Sequence, residues 1–263
     1  MSDTHALLRP AEPSQSPPPP VPRAAVVVVA AGAGTRLGHG IPKALVPLGG
    51  RPLLAHALDG VLYSAVAERV VVVLPPGDTE LAQVCAGYAS RGVVVVAGGD
   101  TRNGSVRAGL RAVGAGTDVV LVHDAARCLA PTAMFHGVLA ALRAGADAVV
   151  PALPVVDTVK AVVPSARTDI APESVRSTPD RSVLRAVQTP QGFRLAPLLA
   201  AHEEAAGWDA QRSAAVTDDA LLMESRGTDV FVVPGAAEAF KITTPLDLLL
   251  AEAMVANGYE DPA

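Results

Sequence analysis

Ala24-Ala25-Val26-Val27-Val28-Val29-Ala30-Ala31-Gly32-Ala33-Gly34-Thr35-Arg36-Leu37-Gly38 starts as an unbroken apolar run, Ala25–Ala30 at its centre, and ends in a glycine-rich turn. An apolar run without polar alternation reads as a strand covered on both faces, because every side chain then meets another layer. Similar runs recur at Arg69–Leu74, Val93–Ala97, Asp118–Val122 and Ala148–Ala152. Helical stretches separate them. In Thr132–Arg143, Phe135, Val138, Leu139 and Leu142 share one face at helical spacing. Thr244-Pro245-Leu246-Asp247 opens another helix, with a capping hydroxyl, a first-turn proline and an acid near the N-terminus. Strand alternating with helix predicts an α/β fold, a Rossmann-like doubly wound and mainly parallel sheet.

The alternation breaks between about 155 and 187. Asp157–Val163 reads as a strand, followed by a Pro/Ser/Thr-rich stretch and a return strand, so a β-hairpin arm projecting from the sheet is expected there. Residues 1–22 carry the run Pro17–Pro20 among small and polar neighbours. Such a segment buries too little surface to offset its ordering entropy and reads as a disordered tail, leaving 23–263 as one domain.

Composition narrows the partners. The 263 residues are half apolar, with a net charge of −5 and no blocks of like charge. Nucleic-acid binding needs a concentrated basic face, so no nucleic-acid partner is expected. Cys85 and Cys128 make neither a disulfide framework nor a zinc spacing and read as reduced thiols. No apolar run approaches the roughly 18–20 residues of a membrane span. Asp3, Arg9 and the prolines break any signal-peptide pattern. A cytoplasmic chain with no membrane partner is the expectation.

Glycines directly after a first strand let backbone N–H groups approach an anion, and the following helix end favours negative charge. Three classes share that feature. A Walker A loop is excluded, since no Gly-Lys-Ser/Thr closes the turn. A dinucleotide-binding loop, as in an NADP-dependent reductase, remains a rival through Gly32, Gly34 and Gly38. That reading wants an acid or arginine at the end of the second strand, where this chain has Val73-Leu74-Pro75-Pro76-Gly77. Arg36 and Lys43 instead place two cations beside the glycines, as a triphosphate about to lose pyrophosphate requires. A catalytically silent nucleotide-binding module is a further rival, disfavoured because both cations and the carboxylate Asp124 are present.

Further segments narrow the choice: Pro42-Lys43, Gly98-Gly99-Asp100-Thr101-Arg102-Asn103-Gly104-Ser105-Val106, His123-Asp124-Ala125-Ala126-Arg127, Asp157-Thr158-Val159-Lys160, Gln188-Thr189-Pro190-Gln191-Gly192-Phe193, Thr217-Asp218-Asp219 and Lys241-Ile242-Thr243. Together with the glycine turn, and in this order over about 24–256, they resemble the 2-C-methyl-D-erythritol 4-phosphate cytidylyltransferases. These belong to the α/β nucleotidyltransferases that activate sugars and polyols. Ribitol-5-phosphate cytidylyltransferases share the nucleotide, the loop and the fold, and differ in the acceptor pocket.

The resemblance implies that an acceptor phosphate oxygen attacks the α-phosphorus of CTP and pyrophosphate leaves. It assigns Arg36 and Lys43 to the transition-state charge, and Arg181 and Lys241 to gripping and aiming the methylerythritol phosphate. Cytosine falls to Gly99, Asp100 and Ser105 with backbone from Ala30 and Ala31, and Gly32 and Gly34 cradle the phosphates. Asp124 helps hold Mg²⁺ on the triphosphate. Arg127, Thr158, Thr189 and Thr217 complete the acceptor side. The arm implies a homodimer in which it helps complete the neighbour's site. One departure stands out: Cys128 follows Arg127 where the family usually has proline. His123 invites a general-base role, but the attacking phosphate is already anionic, so a satisfied histidine at a strand end is expected. The other histidines show no triad or metal spacing.

Overall fold

A computed structural model describes residues 22–32, 40–167 and 169–259. The expected tail, apart from residue 22, lies outside the described residues, as does the part of the glycine turn holding Gly34, Arg36 and Gly38. In chain order the strands are β1 (Ala24–Val29), β2 (Pro47–Leu48), β3 (Arg51–Pro52), β4 (Arg69–Leu74), β5 (Val93–Ala97) and β6 (Val119–Asp124). They continue as β7 (Ala148–Pro154), β8 (Ala161–Pro164), β9 (Glu173–Ser177), β10 (Arg185–Val187), β11 (Gln191–Arg194) and β12 (Val230–Pro234). The helices are α1 (Leu53–Ser64), α2 (Thr79–Ala86), α3 (Arg102–Ala112), α4 (Thr132–Arg143), α5 (Leu195–Ala205), α6 (Ala210–Ala215), α7 (Asp219–Glu224) and α8 (Pro245–Ala256).

Eight strands form one sheet in the order β10-β7-β11-β6-β1-β4-β5, with β12 also paired to β7. β1 runs parallel to both β4 and β6, and β4 parallel to β5. The chain therefore builds outward from β1 through β4 to β5, then returns to β6 on the other side. That reversal is the switch point at which open α/β sheets bind ligands, beyond the carboxyl ends of the strands. β11 is the antiparallel insertion, paired to β6 and β7.

The unbroken apolar runs fill two cores. Val26 and Val28 of β1 face one with Phe135 and Leu139 of α4, while Ala25 and Val27 face the other with Leu110 of α3 and Leu198 of α5. β5 departs from the two-sided expectation: Val94 and Val95 are 36% and 41% exposed, because β5 is the edge strand. The helix read at Thr244 forms with a reciprocal capping box, Thr244 accepting from the Asp247 N–H and Asp247 from the Thr244 N–H.

The arm is present as the antiparallel pair β8–β9. Its first strand starts at Ala161, not Asp157, because β9 ends at Ser177, opposite Ala161. Residues before Ala161 have no ladder partner there, and Asp157–Lys160 form an exposed connection. β10 then returns from the arm to pair with β7.

Gly192 sits where α4 meets β11. A Cβ there would lie 2.3 Å from Val138 Cγ1 and 2.9 Å from Leu142 Cδ1, both fully buried. Gly192→Ala is therefore expected to lower stability by about 1–3 kcal/mol through overpacking, read as a shifted denaturant midpoint at unchanged slope. An unshifted midpoint would mean that α4 yields at this contact.

Candidate active site

A cleft of about 260 Å³ opens over the carboxyl ends of β1 and β6, at the switch point. Ala30, Ala31 and Gly32 form one wall directly after β1, and Gly99, Asp100, Thr101 and Ser105 another. Lys43, Arg102, Asp124 and Lys241 bring charge to the same space. Among the sequence-derived candidates, this cleft unites Ala30, Ala31, Gly32, Lys43, Gly99, Asp100, Ser105, Asp124 and Lys241.

The wall from Gly98 to Ser105 is held by its own turn. Thr101 caps α3, its hydroxyl accepting the Gly104 N–H at 3.0 Å. Ser105 lies one turn beyond that cap. Buried in the first turn, its hydroxyl meets both the N–H and the carbonyl of Gly99 at 3.2 Å. A Cβ on Gly98 would fall 2.7 Å from that hydroxyl, which explains the glycine.

Asp124 ends β6 and is nearly buried. Lys241 Nζ lies 2.6 Å from Asp124 Oδ2, and Arg102 Nη2 lies 3.9 Å from Oδ1. Burial alone would raise the Asp124 carboxyl, but Lys241, Arg102 and Arg127 together hold it below the usual carboxylate range. Lys241 is placed by its neighbours: the Ile242 N–H donates to the Ala126 carbonyl at 2.9 Å. Arg127 donates to the carbonyls of Ala239 at 2.7 Å and Val187 at 3.3 Å. Gln188 adds a two-way clamp on the backbone of Ala236, at 2.8 and 3.0 Å.

Thr189 lies under the cleft, its hydroxyl accepting the Asp124 N–H at 3.0 Å and hydrogen-bonded to His123 Nδ1 at 3.1 Å. His123 is buried against Phe135, with ring centroids 5.0 Å apart. Burial lowers its pKa to about 4, so the ring is neutral near pH 7, a satisfied histidine as the sequence suggested. Cys128 is also inert, its thiol pushed up to about 12 by burial.

Thr158, Arg181 and Thr217 are exposed and do not line this cleft. Arg181, just before β10, donates to the Val156 carbonyl at 2.5 Å across the base of the arm. Thr217 precedes α7, whose cap is Asp218. Arg36 and Gly34 lie outside the described residues. Sequence reasoning gave no role to Arg102, Asp219 or His202, although the first two stand within quoted motifs. Arg102 donates to buried Asp219 at 2.8 Å, and His202 lies 2.9 Å from the other oxygen of that carboxylate.

No group of three or more metal-ligating side chains occurs among the described residues. A resident magnesium site would want more oxygen donors than Asp124 supplies. Magnesium arriving on a triphosphate needs only one or two carboxylates beside the phosphates, and Asp124 fits that lesser demand.

A charged cleft at the switch point of a doubly wound sheet, walled by a glycine turn, defines the nucleotide-binding α/β class. The family model described as IspD, 2-C-methyl-D-erythritol 4-phosphate cytidylyltransferase, matches residues 24–257. The Streptomyces avermitilis 2-C-methyl-D-erythritol 4-phosphate cytidylyltransferase is 50% identical over 231 residues, covering 86% of this chain and 89% of the relative. The solved structure of the corresponding Thermus thermophilus protein is similar with a TM-score of 0.68 at 36% identity, over 89% of this chain and 99% of that one. The 4-diphosphocytidyl-2C-methyl-D-erythritol synthase of Anaerococcus prevotii gives a TM-score of 0.75 at 29% identity, over 89% and 96%. The chain belongs to the 2-C-methyl-D-erythritol 4-phosphate cytidylyltransferase family.

Proposed function

We propose that the chain transfers the CMP part of CTP to 2-C-methyl-D-erythritol 4-phosphate, giving 4-diphosphocytidyl-2-C-methyl-D-erythritol and pyrophosphate, in non-mevalonate isoprenoid precursor synthesis. The observation that carries this reading is a family match across the whole sheet, with Lys43, Asp124, Lys241 and the Gly99–Ser105 turn in one cleft.

An acceptor phosphate oxygen attacks the α-phosphorus of CTP. As that P–O bond forms, the bond from the α-phosphorus to the bridging oxygen breaks, and pyrophosphate leaves with the electron pair. The nucleophile is an anion already, so no general base is required, in keeping with a neutral His123. Positioning and fixed charge do the rest. Gly99, Asp100 and Ser105, with the backbone of Ala30 and Ala31, receive the cytosine, while Gly32 and Gly34 receive the phosphates. Lys43 and Arg36 meet the developing negative charge. Lys241 aims the acceptor phosphate from its seat on Asp124. Asp124 would help hold Mg²⁺ on the triphosphate, which would supply charge neutralisation.

Arg181 and Thr158 serve the acceptor side in this reading by reaching a second copy's cleft, which makes the working unit a homodimer. Two features support that assembly. Neither residue lines its own chain's cleft, and Val156, Ile170, Val175 and Val183 on and around the arm are 59–77% exposed. Arg127, Thr189 and Thr217 act on the acceptor side, the first two by shaping the loops beneath it. The enzyme works in the cytoplasm; no helix of the described residues is long and apolar enough to cross a membrane.

The test is pyrophosphate release by the purified protein with Mg²⁺ and CTP, comparing methylerythritol 4-phosphate with ribitol 5-phosphate. Release with methylerythritol phosphate alone is expected. Release with ribitol phosphate alone would keep the chemistry and overturn the acceptor.

A further inference from the structure

Asp219, at the start of α7, is a carboxylate with no exposure to solvent. An isolated ion so placed would lose far more hydration than packing returns, so its partners matter. Two elements supply them. Arg102, in the first turn of α3, donates from Nη2 to Asp219 Oδ2 at 2.8 Å. His202, buried on α5, places Nε2 2.9 Å from Oδ1. A carboxylate only accepts, so the network assigns the His202 proton to Nε2. The opposite ring nitrogen finds no hydrogen-bond partner among the described residues, and neither does Nη1 of Arg102. Arg102 Nη2 therefore carries the guanidinium's carboxylate contacts on both sides, to Asp219 behind and to Asp124 at 3.9 Å in front.

His202 and Asp219 form no part of the cleft wall; Arg102 does. We propose that His202 and Asp219 are positioning residues for the nucleotide side of the reaction, fixing the Arg102 guanidinium at the cleft and, through it, the carboxylate of Asp124. The inference rests on the cytidylyl-transfer reading. Its rival is packing alone, in which His202 merely fills the space between α5 and α7. The accounts differ in what they demand: packing needs the volume of the ring, positioning needs its N–H.

Two full-length variants separate them. His202→Leu keeps an apolar volume and removes the donor, while His202→Gln supplies another N–H of similar reach. The proposal expects His202→Leu to raise the KM for CTP, and weaken CTP binding by calorimetry, by about tenfold, the scale of a lost hydrogen bond to a charged group. The KM for the acceptor should change less, and His202→Gln should recover most of the loss. Two outcomes overturn the proposal: CTP affinity unchanged in both variants, or both equally impaired in step with a lowered melting temperature. If His202→Leu does not fold, Arg102→Lys takes its place, keeping the charge but losing the longer, planar guanidinium whose Nη2 meets both carboxylates. The same selective loss for CTP is then expected, and a wild-type KM overturns the proposal. Calorimetry needs no turnover, so a wild-type protein that binds CTP but releases no pyrophosphate defeats the proposed reaction while the ranking of variants still judges the brace.

Discussion

Lys43→Ala is expected to cut turnover by about 100- to 1000-fold, the scale for removing one fixed charge from a transition state, with a melting temperature close to wild type. Lys43 opens a single 3₁₀ turn, Lys43–Leu45, braced by hydrogen bonds from Leu45 N–H to the Pro42 carbonyl and from Val46 N–H to the Lys43 carbonyl. Both are backbone bonds and survive the substitution. Ala44 and Val46, the next residues along, are buried and anchor the turn to the core. The side chain is thus mounted on a rigid turn at the rim of the cleft that the Gly99–Ser105 wall also lines. If it meets charge that develops only as pyrophosphate departs, kcat should fall while the KM for CTP moves little. A raised KM at normal kcat would reassign Lys43 to ground-state binding. Near-normal activity in both would remove it from the chemistry.

How much of this could be read from the chain depended on the range of the interaction. Arg69–Leu74, Val93–Ala97 and Thr132–Arg143 are elements with the bounds read from sequence, because their signals are local: an unbroken apolar run, or one apolar face. The start of β8 departs from the sequence reading for the opposite reason. Thr158 and Val159 have strand character, but a strand needs a partner, and β9 stops at Ser177. Gly192 lies in a stretch that reads as chemistry, yet the structure gives it a packing reason, the close approach of α4. The cleft itself was legible where its residues lie next to strand ends, as Ala30, Gly99 and Asp124 do. His202 was not. On an apolar helix face it reads as core, and its partner's own partner, Arg102, stands 117 residues from Asp219. Nothing in a single sequence shows a contact of that span.

Asp124→Asn tests whether that buried charge network serves stability or chemistry, and it is expected to separate the two. Removing one member of a buried ion pair costs about 3–5 kcal/mol when it strands the other. Here neither cation is stranded. Arg102 keeps Asp219 at 2.8 Å, the shorter of its two contacts, and the Lys241 side chain is already 41% exposed and turns to water. The amide also keeps the shape of the carboxylate and can still accept one hydrogen bond. A loss of only about 1 kcal/mol is therefore expected, read from the denaturant midpoint. Activity should fall by about 100-fold: in the proposed reaction Lys241 would lose the anion 2.6 Å away that aims it, and magnesium on the triphosphate would lose its protein carboxylate. Unchanged pyrophosphate release would show that the reaction needs neither this carboxylate nor its contact with Lys241. A loss of several kcal/mol would show the network is structural first, since Arg102 would then depend on both carboxylates to stay buried.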